Sequence, residues 1–130
     1  MITFEDVTKF YPGQERAALR NISLEIGKGE FVFLVGQSGS GKSTFLRLIL
    51  REERAPTGRV IVSGRDVGKL SRWKVPQLRR GMGAVFQDFR LLQSKTVYQN
   101  VAFTLQVLGR KNSAIERAVP EVLDLVGLAD

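Results

Sequence analysis

Glycines at 36, 39 and 41 punctuate the string Gly36-Gln37-Ser38-Gly39-Ser40-Gly41-Lys42-Ser43, which the chain enters from its most uniformly apolar run, Phe31-Val32-Phe33-Leu34-Val35. The spacing G-x-x-x-x-G-K-S constrains the fold more than any other stretch, because each residue type answers a need of a bound polyphosphate. Glycine has no Cβ, so successive backbone N–H groups can turn inward around one phosphate. Lys42 then reaches the β and γ oxygens, and the Ser43 hydroxyl offers a coordination position for Mg²⁺. A run apolar on both faces predicts a central strand of an α/β sheet over residues 31–35. A helix starting at about Gly41 would turn its positive dipole end and free N–H groups to the same anion. Phe45, Leu46, Ile49 and Leu50 give that helix an apolar side in two i,i+4 pairs. These features predict a nucleoside triphosphate site made of Gly36, Ser38, Gly39, Ser40, Gly41, Lys42, Ser43 and Thr44. The bland alternative is a Gly/Ser-rich turn that binds nothing.

At 130 residues and 43% apolar composition the chain amounts to one domain or less, with enough apolar surface for a core. Its longest apolar runs are strand-length, too short for a spanning helix. The first residues, Met1-Ile2-Thr3-Phe4-Glu5-Asp6, lack the basic-then-apolar order of a secretory signal. Without cysteine there are no disulfides or thiolate metal sites, which is compatible with the cytosol. Without histidine there is no imidazole base, ligand or phosphate sensor among these residues. The net charge of +7 is unevenly placed: residues 42–80 hold eleven basic side chains against Glu52, Glu53 and Asp66. Such a segment suits nucleic acid, anionic lipid or an acidic partner. Aromatic interleaving is confined to Trp73 and no nucleic-acid-binding motif is present, so a solvated or membrane-facing basic surface is expected and nucleic acid is not.

Alternation at Ile2 and Phe4, and at Ile22, Leu24 and Ile26, predicts an antiparallel sheet within residues 1–30, punctuated by Tyr11-Pro12-Gly13 and Gly27-Lys28-Gly29. Residues 31–51 hold the strand, the loop and its helix. Over residues 52–87, Ala55-Pro56-Thr57-Gly58 breaks the chain and Val60-Ile61-Val62 forms a strand into a turn at Ser63-Gly64-Arg65-Asp66. Pro76 starts a short helix over residues 77–80, and a second short strand, Gly83-Ala84-Val85-Phe86, ends at Gln87. Two helices fill residues 88–130. Thr96-Val97-Tyr98-Gln99 is a capping-box pattern, followed by Val97, Val101, Leu105 and Leu108, with Gly109 as the stop. Ser113-Ala114-Ile115-Glu116 repeats the pattern before Ile115, Val119, Val122 and Val126, with the stop at Gly127. Pro120 within that helix predicts a kink or a late start.

The loop alone fits many nucleotide enzymes. Tyr11, 25 residues before Gly36, Gln87, 45 residues after Lys42, and Thr96-Val97-Tyr98-Gln99-Asn100-Val101 narrow the choice. This ordered set resembles the N-terminal half of an ABC-type ATPase, and Phe86-Gln87-Asp88-Phe89-Arg90-Leu91-Leu92 resembles the cell-division members of that family. The resemblance covers essentially the whole chain. It implies an α/β P-loop NTPase fold of the ABC nucleotide-binding type, an antiparallel β subdomain plus a partial parallel core, stopping before the helical signature and Walker B elements. It further implies that Tyr11 stacks on adenine, that Lys42 and Gln87 serve catalysis, that Ser43 and Gln87 hold Mg²⁺, and that ATP is the nucleotide. A membrane protein would dock on residues 89–92, at the cytoplasmic face of a bacterial plasma membrane, and full-length members would pair head to tail. Tyr11 as a strand end, Gln87 as a solvated turn residue and Leu91 and Leu92 as core are the plain alternatives.

The family's L-S-G-G-Q signature, Asp-Glu strand end and switch histidine do not occur among these residues. The expectation is therefore the N-terminal portion of a longer ATPase, with weak ATP binding, negligible turnover and poor folding on its own. Competing readings are an ABC ATPase of lipoprotein release or macrolide export and a non-catalytic binding module. A GTPase or kinase is a third, because Asp124-Leu125-Val126-Gly127 matches D-x-x-G, although no N-K-x-D accompanies it.

Overall fold

In the computed structural model, which describes residues 1–129, the chain forms two compact units, Met1–Met82 and the residues from Gly83 on. The first unit is built on an antiparallel sheet of β1 (Ile2–Lys9), β2 (Leu19–Ile26), β3 (Thr57–Val62) and β4 (Arg65–Asp66), in the order β2-β1-β3-β4. The alternation read in the sequence decides which side chains face inward: Phe4, Val7, Leu19, Val60 and Val62 are buried, while Ser23 and Glu25 stay exposed. Two register shifts interrupt the β1–β2 ladder on either side of Val7. Beside them Asp6 takes a positive φ and accepts a hydrogen bond from the Ser23 hydroxyl, which itself accepts from the Asp6 N–H. Gly58 sits opposite this bulge, where a Cβ would collide with the carbonyl oxygens of Glu5 and Asp6. Ser63 and Gly64, both at positive φ, join β3 to β4 as a two-residue hairpin of the primed kind.

Helix α1 (Lys42–Ile49) lays Phe45, Leu48 and Ile49 on this sheet, and the Phe45 ring stacks on Phe4 with centroids 4.3 Å apart. Leu46, expected on the apolar side, is exposed. α1 ends in a Schellman arrangement: Arg51 N–H donates to the Leu48 carbonyl and Glu52 N–H to that of Arg47. Arg51 takes the left-handed position that glycine usually fills. Its guanidinium offsets this by donating to the Val67 carbonyl at 2.7 Å. Burial, then Arg54 and Arg79, push the Arg51 pKa down from its ordinary value. A 3₁₀ turn (Arg72–Lys74) leads into α2 (Val75–Arg79), which buries Val75 and Leu78.

The strand predicted over residues 31–35 is a correction. No ladder pairs this run among the described residues, and all five side chains are exposed, Phe31 at 85%. The predicted strand over residues 83–86 is likewise unpaired, with Val85 fully exposed. A central parallel strand is held by neighbours on both edges and by helices on both faces. The four strands of the first unit pair only with one another, so neither run has such neighbours.

The second unit packs α3 (Val97–Val107) on α4 (Asn112–Leu125) through Ala102, Ile115, Val119 and Leu123, flanked by Val101 and Leu105. The capping box at Thr96 forms as expected: Gln99 N–H donates to the Thr96 hydroxyl, and Thr96 N–H to the Gln99 side chain. The second start differs from expectation. α4 begins at Asn112 behind Lys111, whose extended backbone admits the first turn without a side-chain cap, so Ser113 lies inside the helix. α4 also runs through Pro120 without a late start, because its first turns form on Lys111, well before the proline. Val122 and Val126 are exposed and Leu123 takes the core position. Gly109 and Gly127 close the two helices at positive φ with paired Schellman bonds, which makes Asp124-Leu125-Val126-Gly127 a helix end.

Candidate functional site

α1 and α3 start differently, and α1 shares the lack of a side-chain cap with α4, so it is the glycine-rich loop in front of α1 that sets its start apart. α3 satisfies its own first N–H groups with Thr96 and Gln99. α1 begins at Gly41 with no side-chain cap and no acidic residue in its first turn. Intrahelical bonding begins with the Phe45 N–H on the Gly41 carbonyl, so the N–H groups of Lys42, Ser43 and Thr44 have no partner within the helix. Such a terminus is suited to an anion.

Only glycine fits at Gly41. Its φ is 91°, and a Cβ would strike the carbonyl oxygen of Ala18 and lie 2.8 Å from Leu19 Cδ2. The start of β2 therefore sets how closely the loop can approach the sheet, a role for Ala18 and Leu19 that the sequence pattern did not reveal. At Gly36 a Cβ would lie 2.5 Å from the Ser40 hydroxyl, so a larger residue there would require the Ser40 side chain to turn away. Gly39, at φ 77°, turns the chain between them, and Ser40 N–H donates to the Gln37 carbonyl at 3.1 Å.

The Lys42 ammonium folds back over this loop. It donates to the carbonyls of Gly36 and Gln37, each at 2.7 Å, and to the Ser40 hydroxyl at 3.4 Å, which accounts for its three protons. A cation is thereby held against the loop that precedes the open first turn of α1. Ser38 and Ser43 are exposed. Thr44 is buried at 6%, with its hydroxyl 3.2 Å from that of Tyr11. This contact ties the partly exposed Tyr11 ring to the first turn of α1 from 33 residues away, and the Lys9 ammonium lies 5.1 Å from the same ring. Lys9 is itself fixed by Glu53 at 2.8 Å and by the Arg54 carbonyl. Neither Thr44 as the anchor nor Lys9 beneath the ring is legible from the motif.

Gln87 belongs to the second unit, where it is exposed just after the unpaired residues 83–86. Asp88 faces Arg90, carboxylate to guanidinium at 3.6 Å. The Arg90 guanidinium also stacks 3.7 Å from the Phe86 ring. Phe89 and Arg90 both adopt positive φ, two consecutive bulky residues in a region that disfavours them. Sites that retain such strain are commonly functional. They line one wall of a cavity of about 280 Å³ with Leu91 and Leu92; Val101, Phe103 and Thr104 of α3 form the other. Asn100 also lines it, accepting from the Leu92 N–H and sharing its two amide protons among the carbonyls of Leu92, Lys95 and Thr96. An asparagine in the first turn of a capped helix was the available signal for this role. Among the described residues no group of three or more acidic side chains could hold a metal ion.

The ABC transporter family model matches residues 19–130. The cell division ATP-binding protein FtsE of Mycobacterium tuberculosis is 58% identical over 129 residues, covering 99% of this chain and 56% of the relative. FtsE of Bacillus subtilis is 47% identical (98% and 56% covered), and FtsE of Escherichia coli is 46% identical (100% and 58%). The chain thus spans a little over half the length of these curated relatives. Among solved structures, the dimeric post-hydrolysis state of the ATP-binding cassette MJ0796, bound to ADP and Pi, superposes with a TM-score of 0.85 at 33% identity, covering 95% of this chain and 56% of that one. A second dimeric structure of the same cassette gives 0.75 at 38% identity, covering 81% and 47%. Because the family model matches all but the first eighteen residues, with the phosphate loop and α1 inside the match, the chain belongs to the ABC transporter family.

Proposed function

We propose that the chain is the phosphate-binding part of an FtsE-type ATPase, a subunit that couples ATP binding and hydrolysis through an FtsX-like membrane protein to septal wall hydrolysis during cell division. The observation that carries this reading is the uncapped start of α1 beneath the Lys42 ammonium. The backbone of Gly36, Ser38, Gly39, Ser40 and Gly41 would surround the phosphates, and Lys42 would exchange its loop carbonyls for phosphate oxygens. Tyr11, held in place by Thr44, would stack on adenine. The residues fit Mg²⁺ in donor chemistry: Ser43 and Gln87 offer hard oxygens, and the ion when bound would neutralise phosphate charge. Gln87 would also orient water for hydrolysis. The full-length protein would act as a head-to-tail homodimer at the cytoplasmic face of the membrane.

The exposed Phe89, Leu91 and Leu92 support the partner site, because apolar side chains grouped at a surface suit contact with another protein. The names of the relatives above favour cell division over lipoprotein release or macrolide export. Competition at equilibrium tests the nucleotide assignment: a fluorescent ATP analogue bound to the chain should be displaced by ATP at least 10-fold more readily than by GTP, with negligible turnover by the chain alone. Equal or preferential displacement by GTP would refute it.

A further inference from the structure

The 3₁₀ turn Arg72–Lys74 carries a feature that the nucleotide site does not use. Trp73 is 92% exposed, between exposed Arg72 and Lys74. It is the only tryptophan of the chain. Exposure of a large amphipathic ring on an ordered turn is unusual, because a tryptophan is ordinarily mostly buried. This turn is held firmly from behind. Leu70, Leu78 and Met82 pack on the core of the first unit, Val75 is buried, and Arg79 donates to the Leu50 and Arg51 carbonyls. Between Val67 and Met82 there are five basic residues and no acidic one. Arg79 is engaged with backbone carbonyls and Lys69 with Asp66, whereas Arg72, Lys74 and Arg80 make no ion pair among the described residues.

We propose that this turn is a membrane-contact element, in which Trp73 inserts at the headgroup level of an anionic bilayer while Arg72, Lys74 and Arg80 hold the lipid phosphates. The chemistry is that of interfacial anchoring: an indole has an apolar body and a polar N–H tip, and settles between headgroups and acyl chains. Cations flanking it at the same height gain from the negative surface potential. Nucleic acid is the poorer fit, because single-strand binders present several aromatic platforms along a groove and this segment presents one. The element is independent of the phosphate loop, so its test stands whatever nucleotide the loop prefers.

Trp73 supplies its own reporter. Titration of the chain with vesicles of phosphatidylglycerol and phosphatidylethanolamine should shift its emission to the blue and protect it from an aqueous quencher. Phosphatidylcholine vesicles should do neither, and 0.5 M salt should reverse the effect. Because any protein of charge +7 adheres weakly to anionic lipid, two charge-matched variants decide the matter. Arg72→Glu with Lys74→Glu should weaken co-sedimentation at least 10-fold. Arg16→Glu with Arg20→Glu, at exposed positions remote in sequence, should change it by less than about 2-fold. An unshifted emission, equal losses in the two variants, or tighter binding of a single-stranded oligonucleotide than of vesicles at the same salt would each overturn the proposal. Trp73→Phe, with circular dichroism to confirm the fold, should reduce vesicle binding by a smaller factor than the charge reversal.

Discussion

Lys42 and Gly41 show how much one residue can settle. The lysine's three donors are all committed to the loop that it is proposed to serve, so the side chain organises the phosphate site as well as charging it. Gly41 is fixed by a positive φ and by the Ala18 carbonyl together. Gly41→Ala is therefore expected to cost about 2 kcal/mol or more through strain and collision, measurable as a lower urea midpoint of the first unit, and to abolish nucleotide binding. The requirement for glycine was legible in the motif; the carbonyl that enforces it was not, because it comes from Ala18, 23 residues earlier and just before β2. Tyr11 was legible as an aromatic at the right distance. Its anchor was hidden, since a hydroxyl pair 33 residues apart has no local signature. Tyr11→Phe should cost about 1 kcal/mol of stability and leave adenine affinity within about 2-fold, whereas Tyr11→Ala should weaken it about 10-fold if the ring stacks, as read by fluorescent-nucleotide titration.

At the scale of elements, legibility followed local chemistry. The capping box of α3, the glycine stops after α3 and α4, and the hairpin at Ser63 and Gly64 each need only three or four neighbouring residues, and each formed. Thr96→Ala should accordingly destabilise the second unit by about 1 kcal/mol, seen as a lowered thermal midpoint, with the first unit unaffected. The start of α4 was misread because Ser113 and Glu116 match a cap in type while Lys111 already has the extended backbone that begins the helix. Local pattern cannot choose between adjacent starts when neither is strongly capped.

For the molecule as a whole, what could not be read was which apolar runs find partners. Residues 31–35 carry the composition of a central strand, yet their status depends on neighbours in space. The exposed run gives the chain a surface that should bind an apolar dye. Phe31→Ser with Phe33→Ser should cut dye fluorescence at least 3-fold while changing the stability of the first unit by no more than about 0.5 kcal/mol; a cooperative loss of the sheet would instead show that the run belongs to the core. The four-stranded sheet and α1 should, by contrast, suffice to hold the loop in the shape described, since Ala18, Leu19 and the helix start limit it at Gly41.

That sufficiency is tested most directly by titrating a fluorescent ATP analogue with Mg²⁺ into the chain and into Lys42→Ala, with circular dichroism confirming that both retain the sheet and helices. Saturable binding by the parent chain and at least 10-fold weaker binding by the variant are the predicted results. Equal affinities in two equally folded proteins would contradict the assignment of the phosphate site to this loop.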